Sequence, residues 1–409
     1  MKTVIIVGGG MSGLAAAVTL SEQGMRVTVL ERQDRVGKKI YLTGNGKCNL
    51  SNKNLSADFF VCDSPGLVQN TIKTINHDSV LQFWNQLGVL TKEKNGGIYP
   101  YSNQAATVVN ALVQRCEKNG VKIFCNSFAE KIKKAENDSF IVRCKEKAFR
   151  ADYVILACGG MAGVYKEESN NGYRLAKSLG HTVNYCYPAL VQTVTSENLK
   201  EIHGVRCDGT ISLFIAGEKI SEETGELQFT EKFVSGIPVF QLSRYIKNAF
   251  RSKEKVELVI DLIGQSEIKW QAELKERVKV FEGYSLKSFY NGILNEKLNL
   301  YFINKANLKP DYLIGADVSA QKVISSAMEL LHWKIPITGV NSFKNAQIST
   351  GGIPCQEVDE TFHSHVVRHL YITGEMLDAA GACGGYNLYF AAASGIIAAS
   401  SILSKINNI

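Results

Sequence analysis

Residues 2–13, KTVIIVGGGMSG, restrict the fold of this chain more than any other stretch. Lys2–Val7 is a short β-branched apolar run, the pattern of a strand buried on both faces. Gly8, Gly10 and Gly13 follow with G-x-G-x-x-G spacing, and LAAAVTLSEQG supplies the small residues of a helix packed tightly on a sheet. Met25–Leu30 reads as a second strand ending at Glu31, about 20 residues beyond the glycines. Strand, glycine turn, helix, strand and acid in that order predict an α/β, Rossmann-like unit that holds a dinucleotide. Gly8 makes the tight turn, Gly10 lets the backbone approach a pyrophosphate, and Gly13 lets helix and strand close together. Met11 and Ser12 lie between them, where the positive end of the helix dipole faces the phosphates. Glu31 is placed to accept hydrogen bonds from ribose hydroxyls. The motif by itself suits a nicotinamide or a flavin dinucleotide.

Later segments choose between the two. RADYVILACGG (150–160) is a strand ending in a glycine turn at Ala157, Cys158 and Gly159, and HLYITGEMLD (369–378) is another, ending at Gly374 and Glu375. FAD proteins of the glutathione-reductase-like class place two such strands on the nucleotide sheet. The first passes the dinucleotide, and the second brings an acid, usually Asp, to the ribityl chain. Glu375 is one methylene longer than that Asp. GACGGYNLYFAAASG (381–395) then opens a helix whose first N–H groups, at Gly385, Tyr386, Asn387 and Leu388, are expected to face the flavin pyrimidine ring. There they oppose the negative charge that gathers near N1 and O2 on reduction. The order of segments predicts FAD.

GGGMSGLAAA, GKKIYLTGNGKCNLSN, GGIYPYSNQAATVVNAL, SLGHTVNYCYPALV, GELQFTEKFVSGIPVFQLSR, ISTGGIPCQEVD and GEMLDAAGACGGYNLYFAAASG are longer, more specific strings. On them the sequence resembles, over nearly its whole length, the bacterial flavoproteins that include aminoacetone oxidase and the bile-acid reductase BaiN. One departure is Cys158, where that family usually carries Thr, so a hydroxyl near the phosphates is missing. The resemblance makes Gly44, Asn45, Gly46, Lys47, Cys48 and Asn49 a flavin-side loop. Closely spaced glycines let backbone N–H groups converge on an anion or ring edge, and Lys39 and Lys47 add positive potential. Arg32 and Ala129 join the expected cofactor contacts by the same resemblance. Cys48 has no nearby partner in sequence and reads as a packing residue rather than a thiol relay. Tyr99 and Tyr101 are further candidates to point toward the flavin.

The resemblance also implies a split FAD domain, residues 1–189 and 346–409, with residues 190–345 inserted as a small β-barrel interrupted by a helical segment at about 263–332. Alternation in LVQTVT, GTISLFIAGEKI and VELVIDL agrees with antiparallel strands, and SEIKWQAELKERVKVF with helix. Substrate pockets favour domain junctions, which would set the flavin against the insert. A second strand–GxGxxG–helix unit is absent, so NAD(P)H, if it is the reductant, must visit the flavin directly.

The net charge of +7 is mild, and its basic residues are mixed with acids. An aromatic-interleaved basic stripe for nucleic acid is not visible. Ten scattered cysteines, without CxxC or close pairs, are those of reduced thiols. A glycine motif starting at Gly8 leaves no room for a signal peptide, and the apolar run Leu388–Leu403 reads as a buried helix short of a membrane span. A cytoplasmic protein is expected. His363, His365 and His369 lack the Cys or acid cluster of a metal site, and His181 reads as structural. The expected activity is reduction of a conjugated C=C in a small ketone by NAD(P)H. The alternatives are oxidation of an amine such as aminoacetone by O₂, and modification of RNA. The sequence assigns no catalytic acid or base.

Overall fold

The β-branched runs pair as parallel strands. In the computed structural model, which describes residues 2–136, 138–145, 147–163 and 171–407, a five-stranded sheet runs in the order Leu370–Ile372, Tyr153–Leu156, Thr3–Val7, Arg26–Leu30, Lys122–Phe124. Every pairing in it is parallel, with Val4 opposite Tyr153 and Val27. Thr3–Val7 sits at the centre, and Val4, Ile5, Ile6 and Val7 are buried. The strand at the Glu375 side is only Leu370–Ile372; after it the chain leaves the sheet in a single turn, Gly374–Met376.

The chain divides into two compact units, Met1–Pro188 with Phe343–Ile409, and Ala189–Ser342. In the first, helix Met11–Glu22 is almost wholly buried and packs along the final helix, Tyr386–Asn407. A Cβ on Gly395 would lie 2.2 Å from the Ser12 carbonyl oxygen, so the two backbones meet there. This final helix is longer than the sequence suggested. Its 22 residues are long and apolar enough to cross a membrane by length and composition alone, yet Tyr389, Phe390, Ala393 and Ala399 belong to the unit's core.

In the second unit six strands close a barrel in the order Thr193–Thr195, Phe233–Ser235, Glu218–Phe229, Arg206–Ile215, Val256–Asp261, Trp333–Val340. Val256–Asp261 alternates buried and half-buried residues along its length, as a barrel wall requires. Helices Glu267–Val280, Leu286–Tyr290, Glu296–Lys305 and Ala320–Met328 lie between the last two strands. Ser266, Ser285, Asn295 and Ser319 cap them, each side chain accepting from a main-chain N–H. Trp333 is the barrel's anchor, with its ring centroid 5.1 Å from those of Phe229 and Phe302.

Candidate functional site

Close approaches shape the first glycine turn. Gly8 has φ +112°, and a Cβ there would lie 2.3 Å from the Ala157 carbonyl oxygen; only glycine combines that backbone with that contact. A Cβ on Gly13 would lie 2.0 Å from the Gly8 oxygen. Gly10 is the opposite case, with nothing among the described residues within 4 Å of its Cβ direction. No side chain caps helix Met11–Glu22 at Gly10, and no acid sits in its first turn. Its amide end is thereby suited to an anion. Met11 and Ser12 are buried. Ser12 donates its hydroxyl to Thr373 Oγ1 at 2.7 Å, so what it offers an anion is its main-chain N–H.

Glu31 closes the same turn, Oε2 accepting from Gly9 N at 2.7 Å and Oε1 from Gln33 N at 2.8 Å. Each oxygen retains lone-pair capacity for a hydroxyl. Ser127 N donates to Glu31 O at 2.8 Å, bringing the chain alongside just before the strand Ala129–Lys134. The Ala129 carbonyl is taken by Asn171 Nδ2 at 2.7 Å. Arg32 follows Glu31 and is half-buried. Cys158 turns inward, its thiol donating to Val7 O at 3.4 Å, and burial pushes its pKa up to about 12. It does not take the place of a hydroxyl facing phosphates. Gly159, with φ +73°, leaves open space in its Cβ direction.

On the other side of the site, Lys39 reaches Glu375. Lys39 Nζ lies 2.6 Å from Glu375 Oε2, and Ser349 N donates to Glu375 Oε1 at 3.0 Å. Tyr173 OH donates to the Glu375 carbonyl at 3.3 Å, and Gly374 N donates to Ser394 Oγ at 2.9 Å. Two of the residues expected at the cofactor are thus brought together from 336 positions apart. Sequence reasoning missed Ser349, whose only signal was membership of the string ISTGGIPCQEVD, and Tyr173, which lies in none of those strings.

The loop TGNGKCN is a strained turn. Gly44, Asn45, Gly46 and Cys48 have φ of 55°, 53°, 82° and 60°, a run of left-handed residues that explains the glycines and asparagine. Lys47 is exposed. Cys48 is fully buried, and burial raises its thiol pKa to about 12, which makes it a poor nucleophile. Cys48→Ser is expected to keep its flavin and most of its turnover, read from the flavin-to-protein absorbance ratio and a rate assay. Complete loss of turnover would give the thiol a chemical role.

Asn49 and Ser51 carry the loop to the start of the final helix. A Cβ on Gly385 would lie 2.4 Å from Ser51 O and 2.7 Å from Asn49 Oδ1. Asn49 Oδ1 and Ser51 Oγ are buried oxygens with no partner among the described residues, a state that calls for a ligand. Tyr386 and Asn387 are spent otherwise. Tyr386 OH donates to Asn54 O at 3.1 Å, and Asn387 Nδ2 and Oδ1 both bond Gly381 at 2.8 Å. Their side chains brace the turn, leaving main-chain N–H groups as their offering; Leu388 is half-buried beside them. Tyr99 lies at the loop, 3.8 Å from the Cβ direction of Gly44. Tyr101 is exposed under Lys92.

The donors present fit FAD. An open glycine turn with a free amide end suits a diphosphate, Glu31 suits a ribose, and the Lys39–Glu375 pair suits a polar chain. The orphaned oxygens of Asn49 and Ser51 suit a ring edge that donates N–H.

Two groupings were not legible in the sequence. His181 Nδ1 pairs with Glu357 Oε2 at 2.5 Å, while its Nε2 meets Ser364 Oγ at 2.9 Å. The order Ser–His–Glu resembles a hydrolytic triad, but His181 and Ser364 are buried, and Ser364 Oγ accepts from Val366 and Val367 N–H. The serine is a turn cap. His363 Nε2 accepts from His369 N at 3.2 Å. Burial pushes the Glu357 carboxyl up, yet hydrogen bonds from Thr182 and His181 outweigh it and hold the group below its ordinary value. Asp359 is held low in the same way by Thr361 and His363, against burial. A depressed carboxyl stabilises the fold above its unfolded pKa and loses that contribution as pH falls through the folded one. The urea midpoint is therefore expected to fall on acidification below about pH 4, less steeply in Glu357→Gln. The second is a thiol pair: Cys62 Sγ lies 3.5 Å from Cys355 Sγ across 293 positions, so the cysteines are not all isolated.

Residues 2–401 match the HI0933-like protein Rossmann domain family. The chain is 34% identical to the 3-dehydro-bile acid delta(4,6)-reductase of Clostridium scindens, over 97% of this chain and 98% of that one. It is 26% identical to the ribosomal RNA dihydrouridine synthase of Haemophilus influenzae, over 97% and 98%. Among solved structures, the 3-ketosteroid delta1-dehydrogenase of Sterolibacterium denitrificans shares the fold with TM-score 0.51 at 11% identity, over 99% of this chain and 100% of that one. With a nucleotide turn, an acid and a ring-edge cradle in one unit, the chain belongs to the HI0933-like family and is an FAD-dependent oxidoreductase.

Proposed function

We propose that the protein reduces a carbon–carbon double bond conjugated to a carbonyl in a small, steroid-like ketone, with NAD(P)H as donor. One observation carries this reading, the full-length likeness to a bile-acid reductase at 34% identity. The dihydrouridine relative supports the same class of bond, because making dihydrouridine from uridine also saturates a C=C conjugated to a carbonyl. FAD, when bound, would supply the chemistry of hydride transfer between nicotinamide and substrate.

The chain's own residues hold and bias the flavin ring. Main-chain N–H groups of Met11, Ser12 and Gly13 hold the diphosphate, Glu31 the ribose, and Lys39 with Glu375 the ribityl hydroxyls. Asn49 and Ser51 would accept from the ring edge, while N–H groups at Gly385–Leu388 would oppose negative charge at the pyrimidine. The acid that completes reduction on the substrate carbon is left to a proton donor outside this set.

A second reading, reduction of uridine in RNA, is favoured by the Haemophilus influenzae relative. Anaerobic mixing separates the cases. NADH or NADPH is expected to bleach the flavin, and a 3-keto-4,6-diene bile acid to restore its yellow colour. Bleaching by an amine alone, or by neither nicotinamide, overturns the reading. Salt-sensitive RNA binding with uridine reduction selects the second one.

A further inference from the structure

Cys62, Asp63 and Cys355 offer donor atoms that all lie within 4.8 Å of one another. Cys62 ends the strand Phe60–Cys62, whose antiparallel register with Ala379–Gly381 sets Cys62 opposite Ala379. Cys355 opens the single turn Cys355–Glu357, which Glu357 N closes on Pro354 O at 3.0 Å. Gln356 Nε2 donates to Asp63 O at 3.1 Å, tying the two segments together, and Ser64 N donates to Cys62 Sγ at 3.4 Å. Cys355 is buried, Cys62 half-buried and Asp63 exposed, so the group opens to solvent on its carboxylate side.

The 3.5 Å between the sulfurs is set against two distances. A disulfide bond needs about 2.05 Å. Two thiolates on one tetrahedral zinc, each about 2.3 Å from the metal, stand about 3.8 Å apart. The observed spacing excludes a disulfide and lies near the second; without metal it is the spacing of a thiol hydrogen bond, Cys62 Sγ donating to Cys355 Sγ. We infer that Cys62, Cys355 and Asp63 form a binding site for a thiophilic divalent cation of the zinc class, with water in the fourth position.

Two thiolates and a carboxylate select a borderline-soft ion; magnesium and calcium take oxygen donors instead. Binding replaces two S–H bonds by two metal–sulfur bonds and releases two protons to solvent, with no change of oxidation state. The strand and the turn that carry the sulfurs are positioned by main-chain bonds, so little rearrangement accompanies binding.

The test uses the full-length flavin-loaded protein, reduced and freed of metal by a chelator, then titrated with Zn²⁺ or Co²⁺. One ion per chain is expected, with a sulfur-to-cobalt charge-transfer band and protection of Cys62 from alkylation. Cys62→Ser, at the half-buried position, is expected to lose the band and the bound zinc, and Asp63→Asn to weaken binding. The alkylation readout is made on the unmodified chain, so it stands even where Cys62→Ser fails to fold. Absence of the band in the unmodified chain, zinc retained equally by Cys62→Ser, or an intact mass showing a Cys62–Cys355 disulfide under reducing conditions overturns the assignment. None of these outcomes depends on which substrate the flavin serves.

Discussion

Gly13→Val is expected to yield colourless protein that takes up no added FAD. The Cβ it introduces falls 2.0 Å from the Gly8 carbonyl oxygen, a distance at which backbone must move. Gly8 cannot yield, because its own Cβ direction points at Ala157 O and its N–H is bonded to Leu30 O at 2.8 Å. The start of helix Met11–Glu22 is then displaced from the strand, and the amide end that faces the diphosphate goes with it. Gly10→Val separates this effect from folding. No described residue lies within 4 Å of that Cβ direction, so the apoprotein is expected to unfold at the same urea midpoint as the parent while its FAD affinity falls. The flavin absorbance ratio and an apoprotein melt measure both. A yellow Gly13→Val protein would remove the turn from the cofactor site.

Trp333→Ala is expected to destabilise the barrel unit by about 3–5 kcal/mol, the range for deleting a large buried aromatic. Trp333 is 1% exposed and packs among Phe229, Tyr301 and Phe302. Its indole N–H also donates to Glu197 Oε1 at 3.4 Å, an oxygen that Tyr301 OH and Lys305 share. Trp333→Phe keeps an aromatic ring at the position and is expected to cost less than half as much. Denaturant melts followed by probes within Ala189–Ser342 give both values. A loss under about 1 kcal/mol for Trp333→Ala would show that the neighbouring rings refill the space.

What the sequence revealed was what is local. The turn Gly8–Gly13, the flanking strands and Glu31 lie within a few tens of residues, and each residue type there answers a nearby backbone demand. The barrel entered through the family resemblance; the alternation of apolar and polar residues in VELVIDL and its neighbours pointed only to antiparallel strands, and the spacing in SEIKWQAELKERVKVF to helix, because those patterns are local too. The Lys39–Glu375 pair, the support from Ser349 and the Cys62–Cys355 approach join positions hundreds of residues apart, which no local pattern encodes. Asn387 shows a division that no local pattern encodes. Its place beside a glycine turn suggested a ligand contact; both ends of its side-chain amide brace Gly381, so its main-chain N–H is what remains for one. Cys158 likewise stands at the expected position and faces the other way.

The meeting of Gly395 with the Ser12 carbonyl has a consequence for biosynthesis. The opening helix, Met11–Glu22, leaves the ribosome long before its packing partner, Tyr386–Asn407. At about 5–20 residues per second, roughly 20–80 s separate the two. For that interval an alanine-rich apolar surface is without the cover it has in the finished molecule, so a nascent chain stalled before Tyr386–Asn407 is a natural client for chaperones.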